Sequence, residues 1–249
     1  MTMSNGKGVA VGLWVIIALF VAAPVQGKED KTKLTGTEIG ELLLKPGALN
    51  FGINHMTNSV FIGEALENGK RSLYWRSLKN PMIWGTDIGA AEIVGDKMCS
   101  KWTFGPKKCF EVYRVGENRY ESSLGGNLLA TWYSGKQEYE TSKDKVKLTG
   151  AELKKLSSQY AVSAGINKLS SSVWIVINHD GGKQDLYWRS LAKPGLSGSW
   201  IGSAQIVGDQ RCLKWTFGQK KCCDVYRVTE DQYETFYGGM LESFYYRLK

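Results

Sequence analysis

The chain has 249 residues, of which 43% are hydrophobic and 22% charged, the composition of a folded globular protein rather than a disordered or collagen-like one. Its net charge is +8, but the basic residues are interleaved with acids and cluster only in short pairs such as Lys107-Lys108 and Lys220-Lys221. No long basic block is present, so the excess charge gives no reason to expect nucleic-acid binding.

The N-terminus reads as a processing segment. Lys7 supplies a positive flank, residues 9–23 form an apolar run, and the small residues Val25 and Gly27 follow. We expect a cleavable signal peptide over residues 1–27 and a mature chain that is periplasmic or secreted. A retained anchor is the competing reading, weakened by Pro24 and by a run short of the roughly 20 residues a span requires. No later segment is long and apolar enough to predict a transmembrane span.

Beyond the leader, Thr35 is followed by Glu38 in a capping box arrangement, and Ile39, Leu42 and Leu43 continue at helical spacing, predicting a short helix. The chain then changes to Val-, Ile-, Tyr- and Trp-rich runs punctuated by Gly, Asn and Asp. Residues 91–94, 98–104, 109–115 and 120–124 read as strands with turns at Gly95-Asp96, Gly105 and residues 116–118. Gly125-Gly126 leads into a closing aromatic strand. Residues 134–146 are polar and without apolar periodicity, and read as a linker.

The same text then returns. Residues 88–115 align without a gap with residues 201–228 at an offset of 113, with 20 of 28 positions identical. Leu73-Tyr74-Trp75-Arg76 answers Leu186-Tyr187-Trp188-Arg189, and Leu34-Thr35-Gly36 answers Leu148-Thr149-Gly150. The expectation is a first domain over residues 28–139 and a second over 140–249. Each is a small antiparallel β-barrel or sandwich, lipocalin-like or avidin-like, with a short N-terminal helix.

Export makes the five cysteines read as a disulfide framework. Strand alternation puts Met98, Trp102 and Phe104 on one face, the core, and Cys99 on the other, the wet one. A turn at Phe104-Gly105 would bring Cys99 opposite Cys109, and Cys212 opposite Cys222 in the second copy, so two intradomain clips are expected. Cys223 replaces Phe110 on the apolar face and is either a buried hydrophobe or a reactive or dimer-forming thiol. A nine-residue gap and the lack of a recurring histidine disfavour zinc, and no metal or cofactor site is read.

His55 and His179 do not coincide at the repeat offset and lack a neighbouring nucleophile signature. The duplicated polar residues Arg76, Tyr113, Arg114, Arg189, Tyr226 and Arg227 are the candidate ligand-binding set. Arg114 and Arg227 should meet a carboxylate, reach a barrel mouth or be turned outward.

Residues 198–227, with Gly-x-Trp, a Gly-Asp turn, Cys-x-x-Trp, a Gly turn and Cys-x-x-Val-Tyr-Arg, resemble a family of uncharacterised exported proteobacterial proteins, domain of unknown function 995. The helix signal Leu148-Thr149-Gly150-Ala151-Glu152-Leu153 is similar to that family's entry. The first copy departs at Asp87, where Trp200 stands, and Trp84 close by is the expected substitute. The resemblance implies a β-rich envelope or secreted domain, and no catalytic residue.

The leading functional expectation is a noncatalytic extracytoplasmic binding or interaction protein with an envelope or extracellular partner. The alternatives are a small-ligand carrier with a cavity in each barrel and, least supported, an envelope hydrolase. The interior of one barrel discriminates them: a sizeable cavity lined by Arg114 or Arg227 with tyrosines favours the carrier, a filled core with an exposed aromatic patch the interaction protein.

Overall fold

A computed structural model describes residues 31–80, 82–136, 139–157, 162–193 and 195–248. The leader expected over residues 1–27 lies outside them. The first repeat contains β1 (Thr32–Lys33), α1 (Gly36–Leu43), β2 (Ala48–Asn54), β3 (Ser59–Ala65), β4 (Lys70–Ser77), β5 (Trp84–Val94), β6 (Lys97–Lys101), β7 (Lys108–Arg114), β8 (Arg119–Leu124) and β9 (Asn127–Lys136). The second contains β10 (Val146–Lys147), α2 (Gly150–Ser157), β11 (Val162–Asn167), β12 (Ser172–Asn178), β13 (Lys183–Ser190), β14 (Ser197–Val207), β15 (Gln210–Trp215), β16 (Lys221–Arg227), β17 (Gln232–Tyr237) and β18 (Met240–Leu248).

Each repeat is a closed eight-stranded antiparallel barrel. Strands β2 to β9 pair with their sequence neighbours, and β9 returns to pair with β2; β11 to β18 do the same. Closure leaves no free edge for pairing with another chain. The two-residue strands β1 and β10 lie against β7 and β16.

One end of each barrel is plugged by its helix. The expected capping box is present: the Thr35 hydroxyl accepts from the Glu38 amide at 3.3 Å, and the Glu38 carboxylate accepts from the Thr35 amide at 2.9 Å. The Gly36 amide is capped from the opposite side by Asp96 at 2.8 Å, which ties the helix to the β5–β6 turn. Ile39, Leu43 and Leu34 point inward and pack with Met98, Val112, Tyr120 and Trp132. In the second barrel the Thr149–Glu152 box and the Gly150–Asp209 cap repeat this geometry.

The alternation expected around the cysteines holds, with two differences. Cys99 pairs with Cys109 and Cys212 with Cys222, and both disulfides form at a Cα–Cα distance of 3.9 Å. Cys99 and Cys212 are nevertheless buried, not wet, because the bonded partner stands over each on the outer face. Phe104 does not join the core. The strand ends at Lys101, so the alternation lapses before it and Phe104 and Phe217 stand 88% and 72% exposed at the hairpin tips.

The two barrels share a core. Outward residues of the first repeat (Leu49, Phe51, Val60, Ile62) form one apolar cluster with outward residues of the second (Ile166, Val173, Ile175, Phe244). Tyr133 stacks on Tyr246 with ring centroids 4.9 Å apart. The segment entering the second barrel is clamped by the fully buried Glu234, which accepts from Tyr139 at 2.9 Å, Thr141 at 2.8 Å and the Ser142 amide at 2.7 Å.

Candidate functional site

Inside each barrel, on the open side of the helix plug, is a cavity: about 400 Å³ in the first and about 440 Å³ in the second. Both volumes fall in the lower part of the roughly 300–1,000 Å³ range of small-ligand sites. Inward alternation supplies the walls. Trp75, Trp102 and Trp132 line the first cavity, and Trp174, Trp188, Trp200 and Trp215 the second. Room for these rings comes from missing side chains on β5 and β14. A Cβ on Gly89 would lie 2.7 Å from the Trp102 ring, and one on Gly202 2.4 Å from Trp215.

At the repeat offset Phe61 answers Trp174, and Trp132 answers Tyr245, so the indole moves from one strand to another between the two barrels. Trp200 extends the second cavity's aromatic wall, with its ring 5.9 Å from Trp188. Trp84 does not replace it in the first barrel. It lies on the outer face of β5, 54% exposed and 6.4 Å from Tyr74, because it has the opposite strand parity to Asp87.

The polar groups in the walls differ more than the aromatics. In the first barrel Arg71 is 5% exposed and is pushed down to about 10 by burial. Its Nη2 donates to Asn50 Oδ1 and its Nη1 approaches Met98 Sδ at 3.7 Å, while Nε has no partner. Gln184 takes its place in the second barrel and donates to Asn178. A guanidinium enters there from another strand: Arg211, at the position of Met98, donates to Asn178 at 3.4 Å.

Three further side chains mark the second cavity. Lys221 pairs with Glu242 at 2.6 Å, and the Cys223 thiol donates to the other Glu242 oxygen at 3.0 Å. Cys223 is buried, and burial, reinforced by the Glu242 carboxylate, pushes its thiol up to about 12. That is opposite to the depression that activates a cysteine nucleophile.

The six repeated Arg and Tyr side chains singled out from sequence line neither cavity. Arg76 and Arg189 are outward residues buried between the barrels: Arg76 lies 3.1 Å over the Tyr187 ring, and Arg189 meets Glu64 and, at 3.0 Å, Ser72. Arg114 and Arg227 reach the capping-box carboxylates Glu38 and Glu152 at 3.5 and 3.7 Å, outside the helix plug. Tyr113 donates to Glu111 at 2.8 Å on the outer face, and Tyr226 packs edge-on against Phe236. The histidines also lie elsewhere: His55 contacts Thr131 and His179 contacts Asp185, each at 2.9 Å. Sequence reading missed Arg71, Arg211 and Glu242 because none recurs at the offset; Arg71 and Arg211 sit at inward positions of their strands, whereas Glu242 shares the parity of the outward Phe244 and is turned into the cavity by the register shift between β17 and β18.

No family model and no curated protein matches the chain. Among solved structures, the DNA polymerase III subunit beta from Pseudomonas aeruginosa is 7% identical, with 88% of this chain and 64% of that chain covered and a TM-score of 0.14. A putative DNA polymerase III beta subunit from Eubacterium rectale is 12% identical, with 92% and 67% covered and a TM-score of 0.17. The chain thus spans about two thirds of the length of these proteins, and similarity at that level carries no functional argument. Among the described residues, no helix is long and apolar enough to cross a membrane.

Proposed function

We propose that this chain is a noncatalytic carrier that holds one small, largely apolar molecule in each barrel. The observation that carries the reading is the pair of Trp-lined cavities at equivalent places in the two repeats, each closed at one end by a helix. Eight strands enclose an interior just wide enough for one small ligand, and flat indole walls offer large apolar contact at fixed geometry. The raised Cys223 thiol supports binding over covalent chemistry.

The two disulfides support an oxidising compartment. With the resemblance to exported proteobacterial domains, they favour a periplasmic or secreted carrier. A second reading, an interaction protein with an envelope partner, draws on Phe104 and Phe217, exposed at the same place in both repeats.

Titrating the full chain with a neutral, environment-sensitive dye such as Nile red tests the carrier. We expect about two bound dyes per chain with quenching of tryptophan emission. A chain that takes up no dye and keeps its emission overturns the reading.

A further inference from the structure

The two cavities carry different charge balances. Among the described residues, no carboxylate lines the first, whose lining includes Arg71 and Lys108. In the second, Lys221 stands where Lys108 does, but Glu242, at the position of Leu129, neutralises it at 2.6 Å. The second wall holds its own counterion. The first does not.

Arg71 is the sharper of the two cations in the first barrel. A guanidinium has five N–H donors and favours a planar, two-oxygen acceptor. Here one donor meets the Asn50 amide oxygen, one faces a thioether sulfur, and Nε meets nothing. Holding a buried guanidinium against only neutral side chains is costly, and a ligand carrying the missing charge removes that cost.

Position fixes the orientation of such a ligand. Arg71 touches Met98, part of the helix-plugged cluster, so it belongs to the cavity floor. Trp75 lies four residues further along the same strand, a rise of about 13 Å, among the tryptophans of the wall. The polar end of the ligand therefore goes in first, with its apolar body between Trp75 and Trp102.

We propose that the first barrel binds an apolar monocarboxylate, its carboxylate paired with Arg71 at the floor and its hydrocarbon against the tryptophan wall, and that the second barrel does not share this preference. This rests on the carrier reading and adds the ligand's charge and its direction of entry.

The test compares decanoate with decanol, which has the same chain and no charge, by calorimetry on the full chain at neutral pH. We expect one site at which decanoate binds at least tenfold tighter than decanol. In Arg71→Gln, which installs the residue the second barrel uses at this position, the tenfold preference for decanoate over decanol should be lost. Equal affinities in the unaltered chain, or a decanoate preference that survives Arg71→Gln, overturn the proposal while dye uptake keeps the carrier reading. Failure of dye, decanol and decanoate alike overturns both. The comparison on the unaltered chain decides the charge preference even if the variant does not fold.

Discussion

Tyr133 and Tyr246 hold the same position in the two repeats, and they stack on each other at 4.9 Å across the junction of the barrels. Each hydroxyl reaches into the opposite repeat: Tyr133 donates to Asp231 at 2.9 Å and Tyr246 to the Ser134 carbonyl at 2.8 Å. Equivalent residues meeting one another is the signature of an isologous dimer interface, here contained in one chain. Tyr246→Ala should destabilise the protein by about 3 kcal/mol, the usual cost of deleting a buried ring. In a double-mutant cycle with Tyr133→Ala, denaturant melts should give a coupling of roughly 1 kcal/mol. Additive losses would show that the stack contributes nothing beyond area.

Removing either clip should cost about 2 to 3 kcal/mol, since each closes a short loop in the unfolded chain. Cys99→Ser with Cys109→Ser, and Cys212→Ser with Cys222→Ser, are the pairs to compare by thermal melts. Loss of one clip should not affect formation of the other, because each lies within its own barrel.

Cys223 should be silent to thiol reagents in the native chain at pH 8, because its thiol is buried and pushed up to about 12. Unfolding without reductant should release a single reactive thiol. Rapid native labelling would show that the second cavity opens far more readily than its packing allows.

Alkaline pH should unfold the protein cooperatively. Burial raises Tyr187 and Tyr245 to about 12 and lifts Tyr133, Tyr139 and Tyr246 further. A phenol whose folded value exceeds its unfolded value of about 10 leaves stability intact below pH 10. That stability is then lost as pH climbs from 10 through the folded values. Tyrosinate absorbance from these buried rings should therefore appear only together with loss of native circular dichroism. A single smooth rise near pH 10 would contradict the buried environment of these rings.

Glu234→Ala should loosen the segment before the second barrel. It removes the acceptor for Tyr139, Thr141 and the Ser142 amide, and hydrogen bonds to a charged group are worth about 1.5 to 3 kcal/mol each at most. Limited proteolysis should then cut within residues 139–145 faster than in the unaltered chain. In the first repeat Glu121, the equivalent residue, pairs with Lys31 at 2.7 Å, as Glu234 also pairs with Lys145 at 3.3 Å.

Local chemistry was readable where one residue dictates its neighbour's geometry. Thr35 with Glu38 announced the helix, and the cysteine spacing with Gly105 announced the clipped hairpin. The interface between barrels was not read, although β12 carried a signal: Val173-Trp174-Ile175-Val176-Ile177 lacks alternation because one face meets the cavity and the other meets the first barrel. Arg76 and Arg189 misled for a related reason. A repeated charge in a strand draws attention as a ligand contact, whereas here its partners are Tyr187 and Glu64 in the opposite repeat. The cavity charges escaped because comparison of the repeats rewards what is shared, and Arg71 against Gln184 is a difference.

That difference is open to this protein because its two halves are stitched together. A dimer of identical subunits must accept every substitution twice, so a change that improves one pocket alters both. In a doubled chain the stacked tyrosines can stay as they are while Phe110 becomes Cys223, Leu129 becomes Glu242 and Asp87 becomes Trp200. One binding chamber is then free to specialise while its twin keeps the partnership standing.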